Sequence, residues 1–170
     1  MNKKETKVIV QRIEKWYKKL PELVVYNKKL FEAEFAWSKD AVSFDDRFSL
    51  DYVDIKEGGN WAKKWESAWF HLKGSIPGSF KGKTLAAELD FSGEGLVFSP
   101  SGEIMQGITN AAIWDPNFVR TRVPLKPNCL KNGEVELWVE AAANSLFGVF
   151  TEEDPTQESP KRHGWFDAKV

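Results

Sequence analysis

The chain opens on a helical rhythm. Ile9, Ile13, Trp16, Tyr17 and Leu20 fall at i, i+4, i+7, i+8 and i+11, one face of a 3.6-residue repeat, and predict an amphipathic helix. Its apolar stripe is expected to pack and its basic face to meet water. Pro21 has no amide hydrogen to give to the helical ladder, so the helix is expected to occupy residues 1–20 and stop there. From Leu30 the period changes to two. Phe31, Ala33, Phe35 and Trp37 alternate with Glu32, Glu34, Ala36 and Ser38, which is the pattern of a half-buried strand. Asp45-Asp46, Asp54 and Lys56 to Asn60 read as turns, and Gly58-Gly59 breaks the chain before the aromatic cluster Trp61, Trp65, Trp69 and Phe70.

Further strands follow at short intervals. Ala68 to Lys73 ends at the turn Ile76-Pro77-Gly78, and Leu85, Ala87 and Leu89 point one way along the next run. Leu96-Val97-Phe98 and Glu103 to Gln106 flank Ser99-Pro100-Ser101-Gly102 and predict a hairpin. Phe118 to Leu125 reads as a strand, with a loop from Pro124 to the Asn132-Gly133 turn. Val135, Leu137 and Val139 then face one side, and Glu134, Glu136, Trp138 and Glu140 the other. No helical segments separate these strands, so parallel crossovers are excluded. The expected fold is mainly β: a jelly-roll-like antiparallel β-sandwich over residues 21–150, preceded by the N-terminal amphipathic α-helix. Residues 151–170 read as a polar linker followed by the start of a next, truncated segment at Gly164 to Val170.

Composition narrows the function classes. The chain has 170 residues, a formal net charge of -1 and 42% hydrophobic residues, which fits one globular domain. Near-neutrality argues against a nucleic-acid partner. The sequence holds no apolar run of the roughly 20 residues that cross a bilayer, no signal-peptide pattern and no Asn-x-Ser/Thr acceptor, so no membrane partner and a cytoplasmic location are expected. Cys129 is the single cysteine, and only His71 and His163 are available as imidazole ligands, so no metal site and no cofactor are expected in this segment. His71 reads as a hydrogen-bonded strand residue rather than a general base. Gly93-Glu94-Gly95 lacks the third glycine and following helix of a phosphate loop. No catalytic residue is assigned. The eight tryptophans are the unusual feature, and Trp61, Trp65 and Trp114 stand in loop-like contexts where an indole can offer a flat apolar platform to a sugar.

Four motifs carry a resemblance: Trp69-Phe70, Glu94-Gly95-Leu96-Val97-Phe98, Gln106-Gly107-Ile108 and Val139 to Gly148. In this order and spacing the chain resembles the N-terminal domain of cytosolic and bacterial α-mannosidases of glycoside hydrolase family 38. The likeness runs from about Trp61 to Gly148. It departs at His71, where the family pattern has Arg, and at Asn110-Ala111-Ala112, where a more Gly-rich run is common. The resemblance implies a jelly-roll domain placed before a large catalytic domain. That later domain would hold the zinc and the Asp nucleophile that hydrolyse terminal α-mannosides with retention. This segment is then expected to be inactive alone, to pack on its own catalytic domain, and to contribute to a homo-oligomer interface or one rim of the substrate cleft. Glu94, Phe98 and Gln106 are the motif positions expected to make that contact. The alternative is an autonomous carbohydrate-binding module for mannose-containing oligosaccharides, acting through Trp61, Trp65 and Trp114. The end of the chain at Val170, inside a strand-like run, is expected to continue in a longer enzyme.

Overall fold

The computed structural model describes residues 3–25, 27–63, 65–109, 119–143 and 167–169. Helix α1 spans Lys3–Val24. Among the described residues ten strands follow: β1 Glu32–Ser38, β2 Val53–Ile55, β3 Ser67–Ser75, β4 Ala86–Asp90, β5 Glu94–Phe98, β6 Ile104–Thr109, β7 Arg122–Pro124, β8 Leu130–Lys131, β9 Glu134–Ala142 and β10 Asp167–Lys169. They form a large sheet in the order β2-β1-β3-β9-β5-β6, with β8 paired to β9, and a small sheet in the order β10-β4-β7. Every pairing is antiparallel.

Strict alternation explains why two layers form. On the large sheet Phe70, Leu72, Val97, Val135, Leu137 and Val139 face inward and are fully buried, and on the small sheet Ala87, Leu89 and Val123 meet them. Burying such side chains contributes roughly 1.5–3 kcal/mol each. Phe70 is the hub, with Phe35 stacked at 5.7 Å, Trp61 edge-on at 5.2 Å and Phe91 at 4.5 Å. β9 lies at the centre of the large sheet. β3 pairs along its whole length on one side, while β5 and the two-residue β8 share the other side.

Two sequence expectations fail at the N-terminus. The helix runs through Pro21 to Val24 instead of ending at Leu20. A proline near the end of an exposed helix removes one ladder bond that water can replace, so the stop is softer than in a buried helix. The apolar stripe is also unpacked: from Val8 to Leu20 its side chains are 42 to 72% exposed. Separately, Val53-Asp54-Ile55, read as part of a turn region, forms the edge strand β2 against Phe35, Glu34 and Ala33. Asp167–Lys169, expected as the start of a next segment, forms a strand that instead pairs with Asp90, Leu89 and Glu88 of β4 and so joins the small sheet.

Candidate functional site

The alternation that sends Val139 inward sends Trp138 and Glu140 to the outer face of the large sheet. Three rows of side chains cross that face. Glu34, His71, Trp138 and Phe98 are register neighbours on β1, β3, β9 and β5. The next row is Ala36, Trp69, Glu140, Leu96 and Gly107. The third is Ser38, Ser67, Ala142, Glu94 and Thr109.

A strap formed by residues 42–52 covers the middle of these rows. Trp69 donates its indole N–H to the Val42 carbonyl at 2.9 Å. Phe44 packs on Phe98 at 5.1 Å and on Trp69 at 5.9 Å, while Phe48 and Tyr52 meet Trp138 edge-on. Arg47 is buried inside this aromatic shell, its guanidinium carbon 3.5 Å from the Phe44 centroid, 3.9 Å from Phe48 and 4.3 Å from Trp138. It donates to the Phe44 carbonyl, but its Nε has no partner. Burial lowers the Arg47 guanidinium from its ordinary range, against the pull of Tyr52, Asp45 and Glu136. Tyr52 donates to the Arg47 carbonyl at 3.1 Å, and burial pushes its phenol up to about 12. The strap is clasped by the β5–β6 turn: Gly102, at φ +88°, lies so close to Phe44 that a Cβ there would sit 2.9 Å from the ring.

Beside the strap, His71 stacks on Trp138 at 3.9 Å with 8° between the planes. Its Nδ1 is 2.7 Å from Glu34 and its Nε2 2.8 Å from Glu136. Both ring nitrogens are taken up by carboxylates, so the imidazole ties β1 to β9 across β3 and offers neither nitrogen to a substrate or a metal. The Cys129 thiol is equally committed, buried and donating to the Lys126 carbonyl at 2.9 Å, with burial pushing its pKa up. Among the described residues no group of three or more His, Cys, Asp or Glu side chains is placed to hold a metal ion. The zinc implied by the resemblance has no seat among them.

On the other side of the strap no described side chain lies over the rows. A cleft of about 430 Å³ lies there, lined by Ser67, Glu94, Leu96, Thr109, Arg120 and Glu140, with Gly95 and Gly107 also in its wall. Thr109 and Arg120 exchange backbone hydrogen bonds at 3.0 and 2.8 Å, which fixes the cleft's far wall. Glu140 sits between Trp69 and Leu96 in register, and burial there raises its carboxyl above the ordinary range. No hydrogen bond or ion pair of that carboxylate is present among the described residues. The cleft therefore presents acceptor, donor and hydroxyl groups around an underemployed acid.

The residues singled out from sequence separate into different environments. Trp61 is no platform: it is 3% exposed, edge-on to Phe70, and donates its N–H to the Phe91 carbonyl at 3.0 Å. The Gly-rich loop before it stays at the surface, and the chain turns into the core at Trp61-Ala62. Trp65 is 45% exposed, with φ +70° and its backbone N–H bonded to Ala143. Trp114 lies outside the described residues. Phe98 is 8% exposed beneath Phe44, so it is not available as a surface contact. Gln106 donates to the Arg122 carbonyl at 2.9 Å, joining β6 to the small sheet. Glu94 alone of the three motif residues stands at the cleft. Glu140 was missed because an acid on the polar face of an alternating strand looks solvated. The signal was its company, since Trp138 and Trp69 on the same face foretold that the face is covered.

Two facing antiparallel sheets with this strap and cleft define a β-sandwich module. Residues 30–166 match the family described as alpha-mannosidase, jelly roll domain, and the chain belongs to that family. It is also similar to alpha-mannosidase G of Dictyostelium discoideum, with 28% identity over 110 residues. That stretch covers 65% of this chain and 10% of the relative, so the chain spans about a tenth of the length of the curated protein it matches.

Proposed function

We propose that this chain is the non-catalytic jelly-roll domain of a cytoplasmic α-mannosidase, and that it acts by packing on the parent's catalytic domain. The observation that carries the packing role is the exposed stripe of α1. Ile13, Trp16 and Tyr17 are each more than half exposed, and an amphipathic helix holds such a face in water only at a cost that a covering surface removes. The family match supports the parent's activity as a glycosidase acting on terminal α-mannosides. In the glycoside hydrolase family 38 reading, zinc and an Asp nucleophile act in a later domain with retention of configuration. The chemistry of the residues here, with both nitrogens of His71 engaged and the Cys129 thiol buried, supports leaving the hydrolytic step elsewhere. The same helix stripe, or the rim around Glu94, is the surface proposed for a homo-oligomer contact.

The test is made on the full-length gene product. Substituting Trp16→Glu together with Ile13→Glu is expected to lower the protein's thermal stability or its oligomeric state while the 170-residue chain alone unfolds as before. An assay with an aryl α-mannoside is expected to give chelator-sensitive turnover for the full-length product and none for the 170-residue chain. Turnover by the short chain would sink the non-catalytic reading. Trp16 and Ile13 substitutions that leave the full-length protein unchanged in stability and assembly would sink the packing role.

A further inference from the structure

We propose that the cleft on the large sheet's outer face beyond the strap binds a saccharide, with Glu140 and Glu94 accepting from sugar hydroxyls, Arg120 and Thr109 donating, and Leu96 meeting the ring's apolar face. The cleft's size, about 430 Å³, lies in the lower part of the span of small-molecule sites, about 300–1,000 Å³, and suits a mono- or disaccharide. Its chemistry selects a neutral ligand. A simple cation would face Arg120, and a simple anion would face two carboxylates, whereas a polyhydroxylated ring satisfies acceptors, donors and hydroxyls together.

Two features of the backbone make the space usable. Gly107 pairs with Leu96 and so shares its outer face, and a Cβ built on it meets nothing nearer than the Gly95 carbonyl at 4.0 Å. The floor beside Leu96 is thus clear of side chain. Glu140 supplies the other half of the argument. It projects from the most deeply paired strand, is half-buried, and has no partner among the described residues, although burying a carboxylate without one is unfavourable. A ligand hydroxyl would return the hydrogen bond that this position lacks, and bonds to a charged acceptor are the stronger kind. A desolvated acid in a cleft is also a recurrent mark of a functional position. The pocket lies away from Trp61 and does not require the tryptophan platform.

The choice of mannosides as first ligands rests on the family reading above, whereas the preference for a neutral sugar rests on the cleft alone. The experiment is a heteronuclear NMR titration of the 170-residue chain with methyl α-D-mannopyranoside, α-mannobiose, methyl α-D-glucopyranoside and methyl α-D-galactopyranoside. Arginine methyl ester serves as a cationic probe. Saturable shifts are expected at Glu94, Leu96, Gly107, Thr109 and Glu140 with the mannosides. Glu140→Gln, which keeps the shape, is expected to weaken binding about tenfold. Gly107→Ala, which the open floor accommodates, is expected to weaken it by filling that floor. Shifts at these amides with another neutral sugar but not with mannosides would uphold the cleft and count against the mannoside assignment. The inference is overturned if no sugar moves these amides, if only the arginine ester does, or if both folded variants bind as the parent chain does.

Discussion

Glu140 and Gly93 show how single residues carry opposite kinds of constraint. The Glu140 carboxyl sits above its ordinary value of 4.5 in the folded protein because burial disfavours its charged form. As pH rises through that region the unfolded chain releases the proton first, so folding stability falls. Glu140→Gln is therefore expected to raise the unfolding midpoint by about 1–3 °C at pH 7. The gain should vanish near pH 3, where both states are protonated, and thermal scans at the two pH values check it. Gly93 is constrained by space: a Cβ there would lie 2.2 Å from the Ala142 carbonyl oxygen, a backbone atom that cannot yield. Gly93→Ala is expected to cost about 3 kcal/mol or more in urea denaturation, beyond the usual range for overpacking. Neither effect was legible from composition or alternation. Gly93 stood out only in an incomplete phosphate-loop pattern, and Glu140 looked like surface, because both depend on what the neighbouring strand brings to the spot.

The strap is the element on which the site depends. Its aromatic shell around Arg47 holds the guanidinium by ring faces, each such contact being worth roughly 0.5–2 kcal/mol. Arg47→Ala is expected to loosen residues 42–52 and to red-shift tryptophan emission as Trp138 and Trp69 meet water. Unchanged emission would count against the strap as their cover. Tyr52 gives the same element an alkaline signature. Its phenol is shifted from 10.0 to about 12, so stability contributed by the neutral form is complete below pH 10 and is lost as pH rises from there to about 12. Tyr52→Phe is expected to remove that slope, which alkaline urea titrations of the two proteins would compare. The strands themselves were legible wherever alternation was clean: β1, β3, β4, the β5–β6 hairpin and β9 appear where the pattern puts them. β2 escaped because three residues between acidic and glycine-rich turns carry too little periodicity, and its strand character comes from β1 beside it.

At the scale of the whole molecule, the sandwich and the helix are separate undertakings. Residues 3–20 are exposed throughout, so the sandwich owes them nothing. Deleting them is expected to leave the chain's unfolding free energy within about 0.5 kcal/mol while reducing the helical signal in far-ultraviolet circular dichroism. A large loss of stability would show that the helix packs on the sandwich after all. Here the sequence was half informative, since periodicity revealed an apolar stripe but could not say that the sandwich leaves it exposed.

The strap also changes what kind of strand β9 is. With the sandwich core beneath it, the strap above it and paired neighbours on both sides, its middle is enclosed from four directions. The amides from Leu137 to Val139, beneath the strap, are expected to exchange through no partial opening of the outer layers, only through collapse of the entire fold. In hydrogen exchange these amides mark the ceiling of the molecule's protection, and their exchange rate is a clock for global unfolding that the rest of the chain runs ahead of.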